Sequence, residues 1–169
     1  MRAKICLLLL VGLVFNLAGT LQAKERELYS GKVIKVSDGD TITVLTTDYE
    51  RIKVRFYGID SPEKKQPHGE EAQQALAALI ADKDVTIEEV DTDRYSRVVG
   101  LVRLNGQLIN LAMVEAGWAW LYPQYCKISQ VCSELARAES KARAQGLGLW
   151  RAADPTEPWE FRKQKRKKS

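Results

Sequence analysis

Three short stretches of the sequence concentrate acidic and basic side chains in predicted turns and at strand ends. They read Asp38-Gly-Asp40-Thr41, Arg55-Phe-Tyr-Gly-Ile-Asp60-Ser-Pro-Glu63 and Asp93-Arg-Tyr-Ser-Arg97. Phosphodiester hydrolysis uses this combination, because charge developing on phosphate oxygens needs fixed cations and the attacking water needs a base or a hard cation. The three stretches therefore predict one site with hydrolytic chemistry on a phosphodiester.

A metal ion could take part in that chemistry. Asp40 and Asp60 offer the carboxylate oxygens that calcium prefers as ligands. A zinc site is less favoured, because Cys6 falls in a predicted signal peptide, and the other two cysteines, Cys126 and Cys132, with one distant histidine cannot supply four ligands. That histidine, His68, also has no second histidine with which to run a two-histidine ribonuclease mechanism.

The positioning elements begin with five predicted strands. Lys32 to Val36 and Thr41 to Leu45 flank an Asp-Gly pair, which is a strong hairpin signal. Arg51 to Tyr57 alternates apolar and basic residues, as a half-buried strand does. Val85 to Val90 and Val98 to Leu104 are the last two.

Three helices accompany these strands. Apolar residues recur at helical spacing over roughly Glu70 to Ala81. Further helices are predicted for about Leu108 to Ala116 and Gln130 to Gln145, each followed by a glycine that can cap it. Five short strands with three helices favour an α+β fold that is mainly β, a five-stranded barrel of the OB type, which is a known nucleic-acid-binding architecture.

The N-terminus has the layout of a secretory signal peptide. Arg2 and Lys4 precede an apolar run from Ile5 to Phe15, and small residues follow it. Cleavage after Ala23 is the favoured interpretation, with a retained anchor as the alternative, since the run is shorter than the ~20 residues that a bilayer span needs. Residues 1–23 are therefore predicted to be a signal peptide, and the protein to be secreted or periplasmic, with no membrane association after cleavage.

The rest of the chain is predicted to form one domain, residues 24–152, and a basic, disordered tail, residues 153–169. The net charge is +4, and six basic residues fall in the final segment: Arg162, Lys163, Lys165, Arg166, Lys167 and Lys168. Cys126 and Cys132 form an even pair in a chain predicted to reach an oxidising compartment. A local disulfide is favoured, and two reduced, buried cysteines are the alternative.

The order of these motifs resembles the staphylococcal nuclease family. Asp-Gly-Asp-Thr, then Arg followed by Asp-Ser-Pro-Glu, then Arg-Tyr-Ser-Arg, and finally Gly-Leu-Gly-Leu-Trp150 follow one another between about Gly31 and Trp150. The resemblance implies a five-stranded OB barrel with three helices. It also implies calcium-dependent cleavage of DNA and RNA, preferably single-stranded, by a monomer that leaves 3′-phosphate ends.

The resemblance implies a role for each site residue. Asp40, Asp60 and the main-chain carbonyl of Ser61 would hold calcium. Arg55 and Arg97 would bind the scissile phosphate, and Glu63 would orient or deprotonate the attacking water. The residues that would contact the substrate beyond the scissile phosphate are Arg94, Tyr95, and Tyr122 or Tyr125 as a base-stacking surface.

A non-catalytic OB module that binds nucleic acid is the alternative function. What separates the two functions is whether the catalytic and metal-binding positions survive together, and all of them are present: Asp40, Arg55, Asp60, Glu63 and Arg97. The four tryptophans are expected to pack in the interior rather than to stack on bases. The sequence therefore favours an enzyme.

Overall fold

The structure is a computed structural model that describes residues 26–168. The predicted signal peptide lies outside the described residues and stays a prediction. None of the helices within residues 26–168 combines the length and apolarity that crossing a bilayer requires.

Strands and helices follow the predicted order. Within residues 26–168 the strands are β1 (Leu28–Asp38), β2 (Thr41–Thr46), β3 (Arg51–Phe56), β4 (Ile59–Asp60), β5 (Asp84–Thr92), β6 (Val98–Leu104), β7 (Gln107–Leu108) and β8 (Trp120–Leu121). The α-helices there are α1 (Gly69–Ile80), α2 (Ile109–Glu115), α3 (Ser129–Ala144) and α4 (Pro158–Lys168). Single 3-10 turns cover Pro123–Tyr125 and Gly148–Arg151. The five predicted strands correspond to β1, β2, β3, β5 and β6, and the three predicted helices to α1, α2 and α3.

Five strands close into a barrel. β1, β2 and β3 form an antiparallel meander, β5 pairs with β1, and β6 pairs with β5. A parallel pairing of β3 with β6 closes the ring, with Val54 opposite Val98 and Phe56 opposite Gly100. The predicted five-stranded OB barrel is confirmed, with short added strands and helices around it.

Alternation along the strands fills the barrel interior, because successive side chains point to opposite faces. Buried barrel residues include Val33, Ile42, Val44, Val54, Phe56, Ile87 and Val102. Helix α1 packs against β1 and contributes Leu76 and Ile80, which have no exposed surface. The packed core therefore fixes the ends of β2 and β3, where the acidic motifs lie.

The disulfide between Cys126 and Cys132 is present, with the two Cα atoms 5.7 Å apart. It ties the 3-10 turn at Pro123–Tyr125 to the first turn of α3. The Tyr57 hydroxyl supports the same segment by accepting the amide hydrogen of Ile128 at 2.9 Å. The predicted bridge is thus part of the link between the barrel and α3.

The C-terminal segment differs from its prediction. Residues 153–169 were expected to be a disordered tail, but helix α4 spans Pro158–Lys168 within that segment. Two of its side chains have partners in the body of the protein: Trp159 stacks on Tyr122, and Arg162 forms ion pairs with Asp60 and Glu63. The run of like charges suggested solvated chain, whereas these long-range contacts order the helix.

Candidate active site

Two buried carboxylates and one arginine form the centre of the site. Asp40 and Asp60 are 4% and 1% exposed. Arg55 forms an ion pair with Asp40 through Nη1, and its Nη2 lies 2.7 Å from Asp60 Oδ1. Because one guanidinium reaches both carboxylates, the predicted phosphate-binding arginine and the two predicted metal ligands share one cluster.

Strand pairing places these residues. Asp40 ends the β1–β2 turn, and Thr41 at the start of β2 pairs with Arg55 in β3. The Phe56 amide donates a hydrogen bond to the Asp40 carbonyl at 2.8 Å. Asp60 lies in β4, which pairs with Trp120 of β8. The site therefore lies where the ends of β2, β3 and β4 meet.

Arg55 departs from the pattern of its own strand. Arg51 and Lys53 are exposed, as expected for the basic face of β3, but the Arg55 side chain is only 15% exposed. Burial disfavours a charged guanidinium, yet Asp40 and Asp60 overcome that effect and raise the pKa of Arg55 above its ordinary value. Arg55 is thus a permanently charged group held within an acidic cluster.

The two carboxyl groups of the Asp-Gly-Asp turn have different pKa values. Burial acts to raise the pKa of Asp40, but the Arg55 guanidinium and the Ser61 amide lower it below the ordinary value. Burial and repulsion from Asp40 raise the pKa of Asp38 to about 7. Asp38 also accepts the Asp40 amide hydrogen at 3.1 Å, the turn-stabilising role expected of an Asp-Gly pair. Asp40 is therefore the carboxylate of this turn that stays ionised.

Ser61 joins the turn to the loop that follows β4. Its amide donates a hydrogen bond to Asp40 Oδ2 at 2.6 Å. Its Oγ is buried without a hydrogen-bond partner among the described residues. Gly39 packs against it so closely that an added Cβ would lie 2.8 Å from Ser61 Cβ and 2.9 Å from Ala72 Cβ. The turn carrying Asp40 and the loop carrying Ser61 are therefore in tight contact.

Glu63 lies at the rim of the cluster. Its side chain is 42% exposed, which leaves room for water beside it. The Glu63 amide donates to Gln66 Oε1 at 3.1 Å, and the Glu63 carbonyl accepts the Gln66 amide hydrogen at 2.7 Å. This local turn fixes the backbone of Glu63 and leaves its carboxylate free to face solvent or a neighbouring cation.

Arg97 belongs to a second cluster. Its Nε and Nη2 each lie 2.7 Å from Asp93 Oδ2. Arg97 immediately precedes β6, and the parallel β3–β6 register carries it to the level of Lys53, on the same sheet face as Arg55. Within residues 26–168 no hydrogen bond or ion pair joins Arg97 to Asp40 or Asp60. The structure therefore pairs Arg97 with Asp93, and its role as a phosphate ligand stays a prediction.

The remaining predicted substrate contacts divide between two places. Tyr95 is 65% exposed, and the guanidinium carbons of Arg94 and Arg97 lie 4.9 and 5.6 Å from its ring centroid. Tyr122 lies beside the acidic cluster, since it directly follows β8, which pairs with the strand β4 that carries Asp60, and its amide donates to the Gly58 carbonyl at 2.8 Å. Burial and the Asp60 charge raise the pKa of Tyr122. Its ring centroid is 4.6 Å from that of Tyr125, which is 63% exposed. Each location offers an aromatic surface next to a charged group.

Sequence reasoning missed Arg162. Its Nη2 lies 2.7 Å from Asp60 Oδ2 and its Nη1 lies 2.7 Å from Glu63 Oε1, so it contacts a predicted ligand and the predicted base. A local signal was present, because a proline at a helix start followed by Trp159 and Phe161 is typical of a packed helix. The surrounding basic residues concealed that signal.

Comparisons with known proteins identify the family of the chain. A family model described as staphylococcal nuclease homologue matches residues 53–152. A Haemophilus influenzae protein described as an uncharacterized endonuclease is 40% identical over 146 residues, which cover 86% of this chain and 80% of that protein. The chain belongs to the staphylococcal nuclease family.

Two further proteins are similar to the chain over most of their length. A micrococcal nuclease from Shigella flexneri is 38% identical over 144 residues, covering 80% of this chain and 81% of that protein. Protein ParB from Escherichia coli is 40% identical over 143 residues, covering 79% of each. This member of the staphylococcal nuclease family is therefore a nuclease, a hydrolase of phosphodiester bonds with nucleic acid as its substrate.

Calcium is the metal that membership of the staphylococcal nuclease family implies, and the donor chemistry fits it. Asp40 and Asp60 supply hard oxygen donors, and their carboxylates converge on one side chain, Arg55. Three carboxylates, counting Glu63, face two guanidinium groups, which leaves the cluster acidic. No group of three or more histidine, cysteine, aspartate or glutamate side chains in the described part of the chain is arranged as a metal cage. Main-chain and water oxygens would complete the coordination.

Proposed function

We propose that this nuclease is a calcium-dependent, non-specific endonuclease that cuts DNA and RNA and leaves 3′-phosphate ends. The observation that carries the proposal is the convergence of Asp40 and Asp60 on the buried Arg55. A surface that only binds nucleic acid needs cations and aromatic groups, whereas this cluster has three carboxylates against two guanidinium groups, and its net negative charge repels a phosphate until a further cation binds. The cluster is therefore better suited to catalysis than to binding alone.

Asp40, Asp60 and the carbonyl of Ser61 are the proposed ligands. When bound, the ion supplies positive charge to the phosphate and lowers the pKa of water near it. Because Asp40 and Asp60 are buried, few water molecules compete with the ion for their carboxylates. The hydrogen bond from the Ser61 amide to Asp40 holds the two ligand segments together.

Arg55 and Arg97 are the proposed phosphate ligands. A guanidinium has five N–H donors in a planar fork, so Arg55 retains donors for a phosphate oxygen while it contacts both acids. Arg97 would leave Asp93 and bind the phosphate, because two phosphate oxygens can accept hydrogen bonds from the planar guanidinium. Both side chains would stabilise the charge that develops as phosphorus becomes five-coordinate.

Glu63 is the proposed base. It accepts a proton from water as the water oxygen attacks phosphorus, and the bond between phosphorus and the 5′-oxygen breaks. Solvent supplies a proton to the departing 5′-oxygen, which leaves as a hydroxyl, and the phosphate stays on the 3′-oxygen. Glu63 then returns the proton that it accepted to solvent, which restores the carboxylate. The 42% exposure of the Glu63 side chain supports this role, because the base needs access to water.

The proposed substrate preference is for single strands. Tyr122 and Tyr125 beside the acidic cluster, and Arg94 with Tyr95 on the other cluster, present aromatic and cationic groups. Unpaired bases can stack on aromatic rings, whereas paired bases in a duplex already stack on one another. We further propose that the protein acts as a monomer, since the closed barrel protects its strand edges.

We propose that the protein is secreted or periplasmic. The charge and apolar pattern of residues 1–23 supports export. The disulfide between Cys126 and Cys132 supports an oxidising compartment, because cytosolic thiols are kept reduced.

Digestion of single-stranded DNA by the purified chain from Lys24 onward tests the proposal. Separate reactions contain calcium, magnesium or a chelator, and end-group analysis identifies the products. We expect cutting with calcium only, and 3′-phosphate ends. Cutting in the chelator, or 5′-phosphate ends, would contradict the proposed metal or the proposed bond cleavage respectively.

A further inference from the structure

Helix α4 covers the proposed active site. We infer that the segment Thr156 to Arg162, here called the C-terminal latch, is an intramolecular occupant that competes with the metal ion and with a substrate base. This inference rests on the proposed function and adds to it a segment that controls access of the metal ion and the substrate to the active site. Three separate contacts support it.

The first contact puts a cation where the proposed metal would bind. Arg162 Nη2 lies 2.7 Å from Asp60 Oδ2, and its Nη1 lies 3.2 Å from Asp60 Oδ1. The same Nη1 donates to Glu63 Oε1 at 2.7 Å. Both oxygens of Asp60 therefore contact Arg162. A divalent ion on Asp60 would face the guanidinium charge at short range, and the two cations would repel one another.

The second contact covers an aromatic surface. The rings of Trp159 and Tyr122 are stacked, with centroids 5.0 Å apart and planes inclined by 7°. A nucleobase stacking on this face of Tyr122 would need the space that the indole occupies. One turn of helix therefore covers both the proposed base platform, through Trp159, and the proposed metal ligand, through Arg162.

The third contact anchors the start of the latch. Gln66 Nε2 donates to the Thr156 carbonyl at 2.6 Å, and Gln66 itself is 6% exposed. Its Oε1 accepts the amide hydrogen of Glu63, so a single glutamine connects the latch to the loop that carries the proposed base. Movement of the latch is thus mechanically linked to that loop.

The irregular segment before α4 and the partial exposure of Arg162 are compatible with release of the latch. Residues 152–157 contain no helix or strand, and the Arg162 side chain is 35% exposed even when docked. When Arg162 leaves, Arg55 is the guanidinium that remains on Asp60, so the cluster becomes more acidic and more attractive to a divalent ion. Metal and strand binding should therefore favour the released state, and the docked state should weaken both.

Calcium titration calorimetry on residues 24–169 tests this competition. The proteins are the unaltered chain, Arg162→Gln, and Arg166→Gln as a matched control, since Arg166 is an exposed arginine one turn further along α4. If the docked state is populated about nine times in ten, Arg162→Gln should bind calcium about tenfold more tightly. The Arg166→Gln affinity should equal that of the unaltered chain.

Equal or weaker affinity in Arg162→Gln would overturn the competition while leaving the calcium site intact. Absence of calcium binding in all three proteins would instead contradict the calcium site, and with it the competition. Hydrogen exchange supplies a second measurement: calcium with a non-hydrolysable oligonucleotide should accelerate amide exchange in residues 158–168. Unchanged or slower exchange there would overturn release of the latch.

Discussion

Arg55 Nη2 lies 2.7 Å from Asp60 Oδ1, so the proposed phosphate ligand and the proposed metal ligand are in direct contact. Each group therefore fixes the position of the other before substrate arrives. A lysine would keep the positive charge but could not reach Asp40 and Asp60 in a planar fork. The contact predicts that a positive charge alone is insufficient at position 55.

Arg55→Lys should reduce kcat/KM by at least about 10²-fold, because it removes fixed donors for the developing phosphate charge. The variant should remain folded, since one positive charge stays among the acids. Steady-state cleavage of single-stranded DNA, with thermal unfolding as the control for folding, measures both effects. A folded variant with near-normal kcat/KM would remove Arg55 from the catalytic assignment.

Arg97→Ala should lower kcat/KM by at least about 10²-fold for the same reason. Its pair with Asp93 is partly exposed, so the free energy of unfolding should change by no more than about 1 kcal/mol. Arg103→Ala is the matched control, because Arg103 lies further along β6 and its side chain donates a hydrogen bond to the Gly106 carbonyl at 3.4 Å, away from the acidic cluster. Equal activity loss in both variants would mean that Arg97 has no special role.

Gly39→Ala should destabilise the protein by about 1–3 kcal/mol, because overpacking forces neighbouring groups apart. The added methyl would meet the Cβ atoms of Ser61 and Ala72 at 2.8 and 2.9 Å. Denaturant unfolding measures the change. Combining it with Ala72→Gly should cost less than the sum of the single changes. Additive costs would show that Ala72 does not limit the space beside Gly39.

Reduction of the disulfide should lower Tm and leave cleavage activity largely intact. The bridge between Cys126 and Cys132 spans a sequence separation of 6, and so short a loop contributes roughly 2 kcal/mol on the chain-entropy model. Thermal unfolding and DNA digestion with and without reductant make the comparison. Two free thiols in the denatured, unreduced protein would contradict the bridge.

The sequence was sufficient to predict the barrel and most of the cluster. Alternation in β3 and the Asp-Gly turn before Asp40 are local signals, and local signals fix strands and hairpins. The motifs predicted that Asp40, Arg55 and Asp60 share one site, and the ion pairs show these three side chains in contact. Their roles stay predictions.

Helix α4 could not be predicted in the same way. Its order depends on Trp159 meeting Tyr122 and on Arg162 meeting Asp60, which lies 102 residues away along the chain. No pattern within the basic segment specifies either partner. The pairing of Arg97 with Asp93 was likewise not predicted. The resemblance implies that Arg97 binds phosphate, and it does not say which residue Arg97 contacts when no substrate is bound.

The acidic cluster is the proposed catalytic centre, and Glu63 is its proposed base. The decisive measurement is single-turnover cleavage of single-stranded DNA by Glu63→Gln under saturating calcium, with Glu70→Gln, an exposed glutamate at the start of α1, as control. We expect Glu63→Gln to be slower by at least about 10²-fold and Glu70→Gln to be unchanged. A Glu63→Gln rate equal to that of the unaltered protein would contradict the account.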